Sequence, residues 1–302
     1  MIPYVRDFEF EYGRGDQVSP LIRRVIARNP GPFTFTGTGT YIVGHGEVAV
    51  IDPGPDLPEH LAAILDAVKG ETVRAILVTH NHADHSPLAG PLQRATGAPT
   101  WGCPMSHPPG AMAVKVEDDH DHGFVADHNL CKGGEISGPG WTFEAIPTPG
   151  HTSNHLCYAL KEENVLFSGD HVMGWSTTVI VPPDRDMDAY YKSLDRIAAR
   201  NFTTLWPTHG PPIRNPALFI QAYKDHRLER ERQILELMAR GLNRIGDIVP
   251  VIYAAVDKRL HPAAAQSVLA HMIRLVNSSE ITADDAAPGL ASIFRLTAAR
   301  SP

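Results

Sequence analysis

A loop rich in histidine and aspartate directly follows an apolar strand, and this feature constrains the fold more than any other. The run RAILVTH is too apolar to alternate, as expected for a strand that is covered on both faces. It leads into His80, His82, Asp84 and His85, four potential metal ligands within six residues. Imidazole nitrogens and carboxylate oxygens suit zinc and related first-row metals. In a loosely coiled loop, the first two side chains can face one metal while the last two face another.

Length and composition limit the class of protein. A chain of 302 residues with 43% hydrophobic residues can bury a large core in one sizeable domain and still form a small second one. The start of the chain has no basic segment followed by an apolar one, and no stretch approaches the length of a membrane span. We therefore expect a cytoplasmic protein without a membrane partner. The formal charge of −7 argues against strong binding of duplex nucleic acid.

The cysteines indicate no structural role by their spacing. Cys103, Cys131 and Cys157 are odd in number, far apart, and form no C-x-x-C pair. The pattern predicts neither a disulfide framework nor a cysteine-rich zinc module.

The order of strands and helices indicates two domains. Short apolar strands with glycine or proline between them alternate with helices over the first two thirds, which predicts an α/β architecture with helices outside buried sheets. From about Ala217 a long charged amphipathic helix is followed by further helices and the short apolar stretch SIFRLT. This texture is typical of a small winged-helix module. We predict a catalytic domain over residues 1–216 and a helical, winged-helix-like domain over residues 217–302.

Three later turns offer further metal ligands. His151 lies in the turn P-G-H-T after the strand WTFEAIPT, Asp170 lies in S-G-D-H at the end of NVLFSGD, and His209 lies in P-T-H-G at the end of TTLWPTHG. Each turn carries a glycine, which lets the backbone come close to a metal. One such turn is a weak signal, whereas three in this order after H-x-H-x-D-H form a strong one.

From about residue 35 to residue 215 the sequence resembles the metallo-β-lactamase superfamily. The resemblance implies an αβ/βα four-layer sandwich with the metals at one edge between two sheets. It implies that Asp52, in the run I-D-P-G, orients a metal-binding histidine from behind. It also implies seven metal ligands, with His80, His82 and His151 on one metal, Asp84, His85 and His209 on the second, and Asp170 bridging the two.

Two zinc ions are the expected cofactors, with iron or manganese as alternatives. Two cations close together lower the pKa of a shared water and supply a bridging hydroxide at neutral pH, while the second metal polarises the bond under attack. Asp84 and Asp170 are thus the predicted catalytic carboxylates, with a proton shuttle to the leaving group as a further role for Asp84. No G-x-S-x-G motif and no nucleotide-binding fingerprint is present.

Two further features have both a structural and a functional interpretation. The His/Asp-rich segment 117–128, which runs from Glu117 to His122 with His128 nearby, is expected to be a solvated acidic insertion beside the mouth of the site, and an additional metal site is the alternative. Trp175, Tyr190 and Tyr191 follow the Asp170 turn. They belong either to a substrate pocket or to the core.

The region after the Asp170 turn and the tail resemble the beta-lactamase-like protein 2 group of this superfamily. That resemblance implies single-stranded RNA phosphodiesters as one candidate substrate and small-molecule or carrier-bound thioesters as another. The alternatives are a thioester hydrolase similar to glyoxalase II and a metal-dependent binding protein with little turnover. Activity on β-lactam antibiotics is not expected of a cytoplasmic protein, and an iron-dependent oxygenase of this fold uses one metal with fewer ligands.

Overall fold

A computed structural model describes residues 1–105 and 120–297. The α-helices are α1 (Pro58–Ala67), α2 (Ala89–Thr96), α3 (Met187–Ala198), α4 (Pro216–Ala239), α5 (Ile245–Ile252) and α6 (His261–Asn277). The strands are β1 (Asp16–Gln17), β2 (Ile22–Ile26), β3 (Gly39–Val43), β4 (Glu47–Ile51), β5 (Thr72–Leu77), β6 (Thr100–Gly102), β7 (His128–Asn129), β8 (Gly134–Gly138), β9 (Trp141–Pro147), β10 (Leu156–Leu160), β11 (Val165–Gly169), β12 (Thr204–Pro207), β13 (Ile281–Ala283) and β14 (Phe294–Leu296). Across these two described stretches, no helix is both long and apolar enough to cross a bilayer.

Two mixed sheets form the larger part of the molecule. The first has the order β1-β2-β3-β4-β5-β6-β7, and the second has the order β12-β11-β10-β9-β8. Strands β4 to β7 run parallel to one another, and β11 runs parallel to β12. The predicted hairpin at His45 and Gly46 joins β3 and β4, which pair antiparallel.

Strands of the first sheet divide their side chains between two cores. In β4, Ala49 and Ile51 join the core between the sheets, while Val48 and Val50 join the core under α1 and α2. This alternation follows from the period of two along a strand, and burial of both faces explains why the strand is apolar throughout. The second sheet is covered in the same way by α3 and the first half of α4. The predicted αβ/βα four-layer sandwich is confirmed.

The strands that carry the predicted ligands end at one edge of the two sheets. In the first sheet, β4 and β5 are parallel neighbours. In the second, β9 and β11 are both antiparallel to β10, so they run in one direction together with β12. A backbone hydrogen bond of 2.8 Å from Gly39 N to Thr208 O joins the two sheets at this edge. Loops that follow these five strands therefore meet there.

Residues after β12 form a small helical domain with a two-stranded wing. Strands β13 and β14 pair antiparallel, and together with α5 and α6 they bury a separate core. The predicted winged-helix module is confirmed. Helix α4 contributes Phe219 and Tyr223 to the core under the second sheet and Ile234 and Met238 to the core of the small domain. The domain boundary at residue 216 stays a prediction.

The cysteine prediction was wrong in one respect, because Cys103 and Cys131 form a disulfide with an Sγ–Sγ distance of 1.97 Å. The strands β6 and β7 are parallel neighbours, with Gly102 beside Asn129, so residues just after both strands come close together. Spacing along the chain does not show this, since it depends on which strands pair. Disulfides are rare in cytosolic proteins, so the bond bears on the cytoplasmic location, which stays a prediction.

Candidate metal centre

Three histidines from two loops form the first half of the centre. His80 and His82 follow β5, and His151 follows β9. His80 Nε2 lies 2.8 Å from His82 Nδ1, which lies 3.3 Å from His151 Nε2. All three side chains are buried, and their nitrogens converge closely enough to hold one metal ion.

A carboxylate and two histidines form the second half. Asp84 Oδ2 lies 3.0 Å from His209 Nε2, and Asp84 Oδ1 lies 3.6 Å from His85 Nε2. Asp84 and His209 come from opposite sheets, since Asp84 follows β5 and His209 follows β12. These three atoms are close enough to hold a second ion.

Asp170 stands between the two halves. Its Oδ2 lies 3.6 Å from His85 Nε2 and 3.8 Å from His151 Nε2, and its Oδ1 lies 3.5 Å from His209 Nε2. One carboxylate thus faces ligands of both predicted sites. The seven side chains predicted as ligands are brought together, and they form a candidate dinuclear site.

The polar atoms that face the centre suit a metal pair. Nε2 of His85 and Oδ1 of Asp170 are buried, and neither makes a hydrogen bond to any part of the chain that the structure describes. Buried polar atoms without hydrogen bonds are costly unless they bind something else. The set contains only nitrogen and carboxylate oxygen, which are donors that zinc, iron and manganese accept. The residues therefore fit two metal ions.

Hydrogen bonds behind the histidines aim their ligand nitrogens inward. Asp52 Oδ2 accepts from His85 Nδ1 at 2.9 Å and from the hydroxyls of Thr79 and Thr208 at 2.8 Å each. Its Oδ1 accepts from the Thr79 backbone at 2.8 Å. A carboxylate held by four donors fixes the tautomer and the ring orientation of the histidine. Asp52 therefore lies behind His85, one of the histidines predicted to bind a metal.

Backbone atoms hold two further rings in the same way. His151 Nδ1 donates to Val179 O at 2.9 Å, and His209 Nδ1 donates to Gly37 O at 3.2 Å. In both rings the other nitrogen is left to face the centre. Three histidines of the site are thus oriented by acceptors in different loops.

Two glycines allow the ligand turns to pack closely. Gly150 has φ 142°, and a Cβ at this position would lie 2.5 Å from the Cα of Tyr190. Gly169 has φ 51°, and a Cβ there would lie 2.7 Å from His155 Nε2. Both positions combine a left-handed backbone with a close neighbour, so a larger residue would displace the ligand beside it.

The electrostatics differ between the two halves. Burial, reinforced by the neighbouring histidines, lowers the pKa of His80 well below its ordinary value. Burial and the charge of Arg185 likewise lower the pKa values of His82 and His151. Burial also acts on His85, but Asp84 and Asp170 outweigh it and raise the pKa of that ring well above its usual range. The three histidines of the first half are therefore neutral and can bind a metal directly, whereas His85 must give up a proton to bind one.

Two residues of the site were not predicted from the sequence. His155 is buried, its Nδ1 is 2.8 Å from Thr148 Oγ1, and its Nε2 accepts from the backbone N of Asp170 at 3.3 Å. Burial lowers the pKa of His155 to about 4, so it is neutral and can accept. Its spacing of four residues from His151 is the one signal that the sequence offered. The second residue is Arg185, whose Nη2 lies 3.0 Å from His82 Nε2.

The three aromatic residues that follow Asp170 have different surroundings. Tyr190 is fully buried in the core under the second sheet, and its hydroxyl donates to His171 O at 2.7 Å. Trp175 is half-buried and stacks on Phe35 with 4.9 Å between ring centres. Tyr191 is half-buried against Glu231. Their role in a substrate pocket stays a prediction, although the contacts of Tyr190 are those of a core residue.

The His/Asp-rich segment is described only from His120 onwards, and Glu117, Asp118 and Asp119 lie outside the described residues. His120 pairs with His82 in an isolated β-bridge, with 4.8 Å between their ring centres. Asp121 accepts from Ser86 Oγ at 2.7 Å. This end of the segment is therefore held against the metal-ligand loop. The expected position beside the mouth of the site agrees with these contacts.

Comparison with known proteins follows the same division into two domains. The sequence model of the Metallo-beta-lactamase superfamily matches residues 34–209, and that of the Beta-lactamase associated winged helix domain matches residues 245–286. A beta-lactamase-like protein 2 homolog of Caenorhabditis elegans is 33% identical over 227 residues, which cover 74% of this chain and 72% of the relative. An atrochrysone carboxyl ACP thioesterase of Aspergillus chevalieri is 30% identical over 271 residues, which cover 85% of this chain and 81% of the relative.

Solved structures share the whole architecture. A metallo-beta-lactamase family protein of Thermus thermophilus superimposes with a TM-score of 0.75 at 20% identity and covers 93% of this chain and 100% of that protein. A beta-lactamase domain protein of Burkholderia ambifaria gives the same TM-score and identity over 98% of this chain and 97% of that protein. At this identity the likeness concerns the fold alone.

Proposed function

The chain belongs to the metallo-beta-lactamase superfamily and is a metal-dependent hydrolase, and from this membership we propose that it uses two zinc ions to hydrolyse acyl thioesters held on a carrier. The observation that carries the proposal is the convergence of seven buried ligand side chains in a chain that offers no thiol nucleophile. The proposed reaction adds a water oxygen to the thioester carbonyl and breaks the C–S bond. Its products are a carboxylate, a thiol and one proton, which passes to solvent.

No cysteine of the chain can act as the nucleophile. Cys103 and Cys131 are bonded to each other. Cys157 is fully buried, and burial raises the pKa of its thiol to about 12. Because the thiolate is the reactive form, this thiol is inert at neutral pH. Water is therefore the attacking group, and two bound zinc ions would lower its pKa and polarise the carbonyl.

Residues around the centre would hold the metal-binding side chains in position and fix which ring nitrogen of a histidine carries the proton. Asp170 faces both halves of the centre, and His155 fixes its backbone from behind. Asp52 holds His85 with Nε2 turned inward. Each of these contacts exists before substrate arrives, so the arrangement costs no reorganisation during the reaction.

The carboxylates of the centre favour a leaving group that needs no proton. Burial acts to raise the pKa of Asp84, but His85 and His209 outweigh it and the pKa lies below its usual value. Such a carboxylate is a poor proton carrier, which counts against the shuttle role considered from the sequence. A thiol has a pKa of about 8.5, so a thiolate leaves without protonation near neutral pH. The alkoxide released from an RNA phosphodiester is far more basic.

Two further observations support thioesters over single-stranded RNA. A relative that matches 85% of this chain bears the name atrochrysone carboxyl ACP thioesterase. The formal charge of −7 opposes RNA, because contacts between basic side chains and phosphates dominate the affinity for nucleic acids.

A substrate panel tests the proposal. The purified protein is assayed with acyl thioesters of N-acetylcysteamine, a lactone and a single-stranded RNA oligonucleotide, and Asp170→Ala serves as the matched control for contaminating activity. We expect cleavage of the thioesters that is lost in D170A. Cleavage of RNA by the wild type, with no cleavage by D170A and no action on any thioester, would overturn the proposal.

Elemental analysis tests the metals separately. Protein purified without added metal is expected to contain close to two zinc ions per chain. One metal ion per chain, or iron or manganese in place of zinc, would contradict the two-zinc assignment. It would not bear on the substrate, which the panel tests.

A further inference from the structure

Residues 173–179, which we call the support segment, contact ligands of both halves of the metal centre. Thr178 Oγ1 donates to the backbone O of Asp170 at 2.8 Å. The next residue, Val179, accepts from His151 Nδ1 at 2.9 Å. Two consecutive residues thus hold the backbone of the carboxylate that faces both halves and the ring of a histidine in the first half. A shift of this part of the segment would move both ligands.

Helix α4 holds the support segment at two points. Tyr223 Oη donates to Met173 O at 2.7 Å and accepts from Met173 N at 3.2 Å. One turn later along the helix, Arg227 donates from Nη2 to Thr178 O. Side chains four residues apart are neighbours on a helix surface, so a single face of α4 contacts the segment at both points. The position of the segment therefore depends on α4.

Arg227 is a cation in a buried position. The residue is 3% exposed, and its guanidinium lies 5.4 Å from the ring centre of Tyr190. Removing a cation from water is costly unless other groups stabilise it, and here the ring of Tyr190 and the carbonyl of Thr178 do so. An apolar side chain would pack at this position without that cost. The feature that distinguishes the arginine is its hydrogen bond to the support segment.

Glu231, one turn further along α4, is buried to a similar degree but has different partners. It is 5% exposed and accepts from His271 Nδ1 at 3.0 Å and from Arg274 Nη1 at 2.6 Å. Both partners lie on α6 of the small domain. The helix thus carries two buried ionisable side chains, of which Arg227 contacts the support segment and Glu231 contacts α6.

We propose that Arg227 is a positioning residue for the metal centre, which acts through Thr178 on Asp170 and His151. It lies where α4 passes from the core under the second sheet to the core of the small domain, so the helix that begins the small domain also holds metal ligands in place. This inference goes beyond the proposed function and does not depend on the substrate. Metal binding tests it without turnover.

Two matched substitutions on α4 separate positioning from stability. Arg227→Met and Glu231→Met each replace a buried ionisable side chain by the same apolar one in the full chain. Urea denaturation measures the free energy of unfolding, and competition with a chromophoric chelator measures the affinity for zinc. The visible absorption spectrum of the cobalt-substituted protein reports the ligand geometry. Arg227→Lys is the conservative variant, because it keeps a charged donor.

We expect R227M to lower the zinc affinity about tenfold, which is the lower end of the effect of partners that orient metal ligands, because it acts through one further residue. The cobalt absorption bands should shift, since they depend on the ligand geometry. R227K should recover part of the affinity and a spectrum closer to that of the wild type. E231M should lose stability but keep the zinc affinity and the cobalt spectrum of the wild type.

A second site on the same path keeps the test decisive if R227M does not fold. Thr178→Val removes the hydroxyl that donates to Asp170 O and nearly preserves the shape, whereas Thr178→Ser keeps the hydroxyl. T178V should lower the zinc affinity and shift the cobalt bands, and T178S should do neither. Wild-type zinc affinity and cobalt spectrum in R227M or in T178V would overturn the inference. An equal change in E231M would also overturn it, because the effect would then be a general loosening of α4.

Discussion

Two clusters among the described residues place a buried histidine beside a carboxylate, and they differ in how their polar atoms are satisfied. At the metal centre, Asp170 and His85 have buried atoms that make no hydrogen bond with the described residues. At the contact between the domains, Glu231 accepts from His271 Nδ1 at 3.0 Å, from Arg274 Nη1 at 2.6 Å and from Tyr191 Oη at 3.4 Å. We call this second group the interface cluster.

The difference teaches how a metal site is distinguished from a structural polar cluster. Both are buried and contain the same kinds of residue. In the interface cluster, three donors meet the carboxylate of Glu231, and the arginine balances its charge. At the metal centre, the ligand atoms of seven side chains converge in overlapping groups, each of which could hold a metal ion. Direction of the ligand atoms, more than composition, identifies the site.

The largest expected effect comes from removing the carboxylate shared by the two halves of the metal centre. Asp170→Ala should lower kcat/KM by about 1,000-fold or more, which corresponds to about 4 kcal/mol of transition-state stabilisation. The chain should still fold, because the surrounding core is unchanged. Steady-state kinetics and circular dichroism measure the two results. Near-wild-type turnover by the variant would show that Asp170 takes no part in catalysis.

A comparable change in the interface cluster should affect stability and leave metal binding intact. Glu231→Ala leaves Arg274 and His271 without their acceptor, and breaking a buried ion pair costs about 3 kcal/mol. Urea denaturation should show this loss, while elemental analysis should show the same metal content as the wild type. Release of metal by E231A would mean that the two clusters are not independent.

A smaller effect is expected from the carboxylate behind His85. Asp52→Asn keeps the shape but replaces one of the acceptor oxygens by a donor, so it weakens the hold on the ring and its tautomer. Loss of such an orienting partner lowers metal affinity about 10- to 100-fold. Competition with a chromophoric chelator measures this change. Unchanged affinity for both ions would contradict the orienting role.

The smallest effect concerns the pH dependence of stability. Burial, assisted by Arg227, Arg230 and Arg274, lowers the pKa of His271 well below its ordinary value of about 6.5, although Glu231 faces the ring. As pH falls below about 6.5, the unfolded chain takes up a proton at this residue and the folded chain does not, so stability declines. His271→Gln should reduce the stability lost between pH 7 and pH 5, as measured by urea denaturation at each pH. An unchanged pH dependence would exclude His271 as the source.

The sequence predicted those parts of the fold and site that depend on local pattern. His151, Asp170 and His209 were predicted as ligands because each lies in a glycine turn after a strand, and the structure brings them together at one edge of the sheets. Arg185 and the Cys103–Cys131 bond were missed because they depend on which loops and strands become neighbours.

Helix α4 has a consequence for how this protein can change over evolution. Its first half, with Phe219 and Tyr223, seals the outer face of the second sheet, and its second half, with Ile234 and Met238, forms a wall of the small domain. A chain ending at residue 216 would expose the sheet, and the tail alone would begin with an uncovered apolar face. The winged-helix domain therefore cannot be exchanged independently of the larger domain. Recombination at the boundary between them would expose apolar surface and destabilise both parts.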